Sequence, residues 1–254
     1  MSNGSGDRFV EVPLTPAQVK QYAKRSEVRS EIVKHLATSD VKEALLVAKG
    51  YSDEYPDDLI ALGDTARLHL ANNQYDQAYD LYRRIVMPLP DSPEFRTGDI
   101  GVLTGYGDSC YALHHHDEAR RAYETVLSKG KLKANGDFPD ARLNGYESDL
   151  KKLAASAHVA CGLKWMINAN DGSKQQAVSH FKQALELYPG YESAQYYLAF
   201  TLTTDELRQF EKALDLLRDS DTWTDPSARE CGMKLAEKLK LKVALIEASK
   251  NAAH

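Results

Sequence analysis

Along most of the chain, small and apolar residues return every three or four positions, and the stripes they form come in pairs separated by short polar turns. Between Asp58 and Pro90, Leu62, Ala66 and His69 fall on one face of a first helix, and Tyr75, Ala78, Tyr82 and Ile85 on one face of a second. Asn72-Asn73 supplies the turn between them. Paired alanines let two helices approach closely, and a proline beyond the second helix stops it by withholding the next backbone donor. No run alternates apolar and polar residues between turn signals as a strand would, so the pattern predicts helices throughout.

The pair recurs. Ala44 to Ala78 and Pro56 to Pro90 are each 34 residues apart. Ala177 with Phe181, Ala184 and Pro189 makes another copy, Ala213 with Leu217 and Pro226 another with one extra residue, and Ala119 with Tyr123 one that lacks the proline. Local signals mark the ends: Thr15-Pro16 with Gln18 reads as N-cap, N1 and N3 of an opening helix, and Asp225-Pro226 starts the last helix in the same way. The period is broken twice. One excess falls in 91–99; the other includes the basic, glycine-bearing stretch 128–136 and a first helix extended back through Glu147 to Lys152. Insertions of this kind map to loops, which often carry specificity.

With these positions the chain resembles the tetratricopeptide repeat family, whose unit has small residues near its eighth and twentieth positions, an aromatic near the twenty-fourth and a proline near the thirty-second. Ala66, Ala78, Tyr82 and Pro90 match in one unit, and Gly107, Ala119 and Tyr123 in another. Leu62 and Leu103 stand at the family's tryptophan position, and His69 and Cys110 at its first tyrosine. The resemblance implies an all-α fold, a right-handed α-α superhelix of about five helical hairpins with a C-terminal capping helix. The expected organisation is a disordered tail over 1–14 and a solenoid over 15–226, with repeats near 25–58, 59–92, 100–133, 155–191 and 192–225. A separate opening helix precedes the repeats, and the cap covers 227–254, where Leu235, Leu239, Val243 and Ile246 form an apolar stripe.

Charge and chemistry narrow the functional classes. Basic and acidic residues number 32 and 37, a near balance that gives no reason to expect tight nucleic-acid binding, and no apolar window reaches the length of a membrane span. Cys110, Cys161 and Cys231 are widely spaced and are expected as free buried thiols of a reducing compartment, with the cytoplasm as the simplest location since no secretory signal opens the chain. Catalytic motifs of the HExxH, GxGxxG and GxSxG kinds are absent, so no enzyme activity, cofactor or metal is expected. His114-His115-His116 is expected at a turn, with Asp117 capping the next helix. His158 and Cys161, three apart on a helix, are expected to pack, as are Trp165 and Trp223.

The family's inward positions, carried over one by one, are Arg29 and Val33, Arg67 and Leu70, Thr104, Asp108 and Tyr111, and Tyr196 and Phe200. They imply a groove for another protein or a peptide, with arginines for acidic contacts and aromatics for apolar ones. The expected function is a non-enzymatic protein-interaction adaptor or assembly subunit; the alternative is a peptide-ligand sensor or a co-chaperone-like protein. The chaperone-binding members clamp a terminal carboxylate with lysine, arginine and asparagine; here Val33, Arg67 and Asp108 occupy the asparagine sites, so the standard clamp is not reproduced. Homo-oligomerisation is left open.

Overall fold

The computed structural model describes residues 14–87, 95–97, 99–130, 147–167, 172–204 and 209–251. Within them lie α1 (Pro16–Ala37), α2 (Val41–Glu54), α3 (Leu59–Ala71), α4 (Tyr75–Val86), α5 (Ile100–Ala112), α6 (His116–Gly130), α7 (Glu147–Ile167), α8 (Ser173–Leu187), α9 (Glu192–Leu202), α10 (Phe210–Leu216) and α11 (Pro226–Asn251), with a single 3-10 turn at Ser220–Thr222. No strand occurs among the described residues. The fold is all-α and of the helical-hairpin solenoid class. The chain divides into two compact units, Met1–Ile85 and Val86–His254. Most of the expected N-terminal tail, at 1–13, lies outside the described residues, as do 91–94 and 98 of the first insertion and 131–136 of the second.

Short-range chemistry sets the helix ends. Thr15 and Gln18 form a reciprocal capping box, and Pro16 occupies the first turn of α1. That helix continues to Ala37 and pairs with α2, so the opening helix is itself the first helix of the first hairpin rather than a separate element. Asp58 caps α3 through the amides of Ile60 and Ala61, and Asp225 caps α11 through those of Ser227 and Ala228. Tyr55 and Tyr188, each preceding a proline, leave helical geometry at ψ 69° and 88°, which ends α2 and α8.

The turns inside the first four hairpins share a device. Ser39, Asn73, His114 and Gly172 have φ of 60°, 57°, 61° and 78°. In the first three, the next residue's amide returns to a carbonyl of the helix just ended: Asp40 to His35, Gln74 to His69 and His115 to Cys110, at 2.9, 2.9 and 2.8 Å. One left-handed residue thus reverses the chain and satisfies an orphan carbonyl.

In the first unit Ile32, Ala44, Ala48 and Leu68 form a buried cluster, and Ala66, Ala78 and Tyr82 are buried. In two repeats of the second unit a glycine at the small position faces the aromatic of the following helix. A Cβ on Gly107 would stand 2.6 Å from Tyr123 Cε1, and one on Gly162 would stand 2.5 Å from Phe181 Cε1. Val159, Phe181, Leu198, Phe210, Leu217, Trp223 and Leu239 share one core, with Trp165, Leu235, Val243 and Ile246 packed against it.

Candidate binding surface

In the first unit, α1 and α3 bring arginines to carboxylates. Asp58 is buried; both of its oxygens accept from Arg25 at 3.0 Å, and one also accepts from Tyr51 at 3.2 Å and Gln21 at 3.3 Å. Burial pushes this carboxyl up, but the Ala61 amide and Arg25 outweigh it and hold the group below its ordinary value. Burial and the Asp58 charge push the Tyr51 hydroxyl up to about 12.

One turn further along α1 from Arg25, Arg29 Nε lies 2.9 Å from Asp64 Oδ2, close enough for an ion pair but not aligned as a hydrogen bond, and Arg67 Nη1 lies 3.5 Å from Oδ1. The Arg29 and Arg67 side chains are 55% and 59% exposed while Asp64 is 16% exposed, so both guanidiniums keep donors facing water. Burial raises the Asp64 carboxyl against the pull of Arg29 and Arg67. The surface therefore presents two cations over one recessed carboxylate. Val33 is 63% exposed, and Leu70 is half-buried.

In the second unit, the first helices α5 and α7 and the start of α9 are joined by a row of hydroxyls. Tyr111 Oη lies 3.1 Å from Ser156 Oγ, which lies 2.9 Å from Tyr191 Oη. The Lys152 ammonium sits 5.5 Å from the Tyr188 ring centroid. On α9 the rings of Tyr196 and Phe200 are 6.2 Å apart, and Phe200 is 42% exposed. Thr104 is half-buried. Asp108 turns into its own hairpin instead, accepting from Tyr123 Oη at 2.7 Å, and burial raises its carboxyl.

Among the nine residues read as inward-facing, Arg29 and Arg67 converge on one acid, Tyr111 joins the hydroxyl row, and Tyr196 and Phe200 form an aromatic pair. Asp64, Ser156 and Tyr191 complete these groups and were not singled out from sequence. Asp64 lies three residues before Arg67 on α3, a spacing that marks an ion pair, whereas Ser156 and Tyr191 follow the disturbed register and carry no local signal.

Two expectations are corrected. Cys231 is exposed, unlike the buried Cys110 and Cys161, whose thiols burial pushes up to about 12. Asp117 does not cap α6, which begins one residue earlier; its carboxylate takes the Cys161 thiol at 3.5 Å and Lys164 at 3.4 Å. His158 and Cys161 are both buried, as expected of packing residues, and they point to different partners, since His158 reaches Glu124 and His180. Among the described residues no helix is long and apolar enough to cross a membrane.

Residues 35–98 match the sequence model of the tetratricopeptide repeat. A solved structure of an assembly chaperone of RpL4 (residues 1–338) superposes with a TM-score of 0.57 at 13% identity, covering 89% of this chain and 88% of that one. YrrB, described as a TPR protein with an unusual peptide-binding site, superposes with a TM-score of 0.51 at 15% identity, covering 80% and 88%. At such identities the likeness bears on the fold. No curated protein matches the sequence.

Proposed function

From the premise that this chain carries tetratricopeptide repeats, we propose that it is a non-enzymatic adaptor or assembly subunit of the cytoplasm, holding a partner peptide or protein surface on its first-helix faces. The observation that carries the reading is the pair Arg29 and Arg67, each more than half exposed although both lean on Asp64. Two guanidiniums around one recessed carboxylate leave a net positive charge and unused planar donors, which suit a carboxylate or other acidic group on the partner. In the second unit the exposed ring of Phe200, beside Tyr196, suits an apolar side chain, and aromatic anchors of this kind dominate binding energies. Two of the similar structures are named for protein assembly and for peptide binding, which agrees with this class of role.

Affinity capture from the native source, with identification of the retained proteins by mass spectrometry, tests it. The wild-type chain retains a defined set of proteins; Arg29→Glu/Arg67→Glu and Tyr196→Ala/Phe200→Ala variants with unchanged helicity lose members of that set. Equal capture by wild type and both variants overturns the assignment of the binding face.

A further inference from the structure

Between α6, α7 and α8 a line of titratable groups runs through the second unit. His158, almost wholly buried, directs Nε2 to Glu124 Oε1 at 2.9 Å. Its Nδ1 lies 3.2 Å from Nδ1 of His180 on α8, with the ring centroids 5.5 Å apart. A nitrogen-to-nitrogen hydrogen bond requires one proton between the two atoms. With Nε2–H donated to Glu124, neutral His158 has a bare Nδ1, and the geometry assigns the donating Nδ1–H to His180. When the pair gains one proton, His158 donates from both nitrogens, stays against Glu124, and His180 accepts as its Nε2–H tautomer. A second proton sets N–H against N–H and two like charges 3.2 Å apart.

The surrounding charges do not relieve that conflict. From α6 the pair faces Asp117, Arg120 and Glu124; from α7 come Cys161, whose thiol is tied to Asp117, and Lys164, which is paired with the same carboxylate. Arg120 Nη1 holds the other oxygen of Glu124 at 2.7 Å. Two carboxylates are thus already matched by two cations. From α9, the other helix packed on α8, Tyr197 stacks on Phe181.

We infer that the His158–His180 contact is a proton-operated lock on the α7–α8 hairpin, closed with no proton or one and released by the second. Burial, the His158 charge and Arg120 keep the His180 imidazole below its ordinary value of 6.5, so the neutral ring is the form the fold prefers. The lock therefore holds above about pH 6.5 and is lost as pH falls through the depressed value. Ser156, two residues before His158 on the same helix, joins Tyr111 to Tyr191.

The test is a titration of the full chain with nitrogen-15 histidine from pH 8 to 5, with amide hydrogen exchange read at each step. His158 shows the Nε2–H tautomer and His180 the Nδ1–H tautomer at pH 8, the two protons enter in steps separated by more than about one pH unit, and α8 loses exchange protection at the second step. Rings that titrate as independent sites, or an α8 still protected once both are charged, overturn the lock. Two variants sharpen it. Glu124→Gln shifts the first step to lower pH. His180→Asn keeps a donor or acceptor for His158 Nδ1 but cannot take a proton, so α8 stays protected down to pH 5; loss of protection at the wild-type pH in that variant refutes the proposal.

Discussion

Gly107 lies against Tyr123 so closely that a single added carbon would stand 2.6 Å from the ring. The ring cannot retreat, because its hydroxyl is held by Asp108 and the side chain is fully buried. Gly107→Ala gains about 1 kcal/mol of helix propensity but overpacks a filled site at about 1–3 kcal/mol, so the net expectation is a lower melting temperature. Gly50 is the control. A Cβ there meets nothing within 4 Å, so Gly50→Ala in α2 should raise stability by up to about 1 kcal/mol. Urea melts of both variants check the contrast.

Ala78 is wholly buried in α4. Ala78→Trp places an indole where only a methyl fits and should cost roughly 1–3 kcal/mol or more. A melting temperature unchanged by that substitution would show that the repeat register assigned to the second hairpin is wrong.

Asp58 serves at once as cap of α3, partner of Arg25 and acceptor from Tyr51. Asp58→Ala leaves a mostly buried guanidinium unpaired and removes the cap, so a loss on the order of 3 kcal/mol or more is expected. Asp58→Asn still caps and should lose less. Because the folded carboxyl sits below its ordinary 3.8, its stabilising share is present above that pH and disappears as pH falls through the depressed value. In acid-denaturation curves the wild type and Asp58→Asn should therefore converge below about pH 3.8.

Ser39 holds φ at 60° in an exposed turn, a conformation that costs a residue with a Cβ roughly 1–2 kcal/mol. Ser39→Gly should raise the melting temperature, offset in part by the greater freedom of glycine in the unfolded chain. Thermal melts of this variant against Gly172→Ala, expected to fall since Gly172 has φ of 78°, separate turn strain from other effects.

Arg67→Ala should change stability by no more than about 0.5 kcal/mol, since its side chain is 59% exposed and its ion pair with Asp64 is long. If the first-helix face binds an acidic partner, the same substitution weakens capture most at low salt. Phe200→Ala should weaken capture with little salt dependence. Binding measured at two ionic strengths distinguishes the two contributions.

Ala44, Ala78, Gly107, Ala119, Tyr123 and Phe181 were legible in the sequence because the constraint on them repeats. A hairpin of fixed length must put a small residue wherever two helices touch and a large ring opposite it, so the need recurs at one spacing. Helix ends were legible for a related reason, since Thr15 and Asp225 act on amides two or three residues away. The chain alone therefore determined the helical class, the pairing of helices and the residues that pack between them. Only the tertiary structure decided that Arg29 and Arg67 share Asp64, that Ser156 links Tyr111 to Tyr191 across 45 and 35 residues, and that Glu124, His158 and His180 align across 34 and 22. Apart from Asp64 and Arg67, which share α3, those partners lie on different helices, and their meeting depends on crossing angle and rotation about each axis. In the second unit neither repeats along the chain once 91–99 and 128–136 have shifted the register.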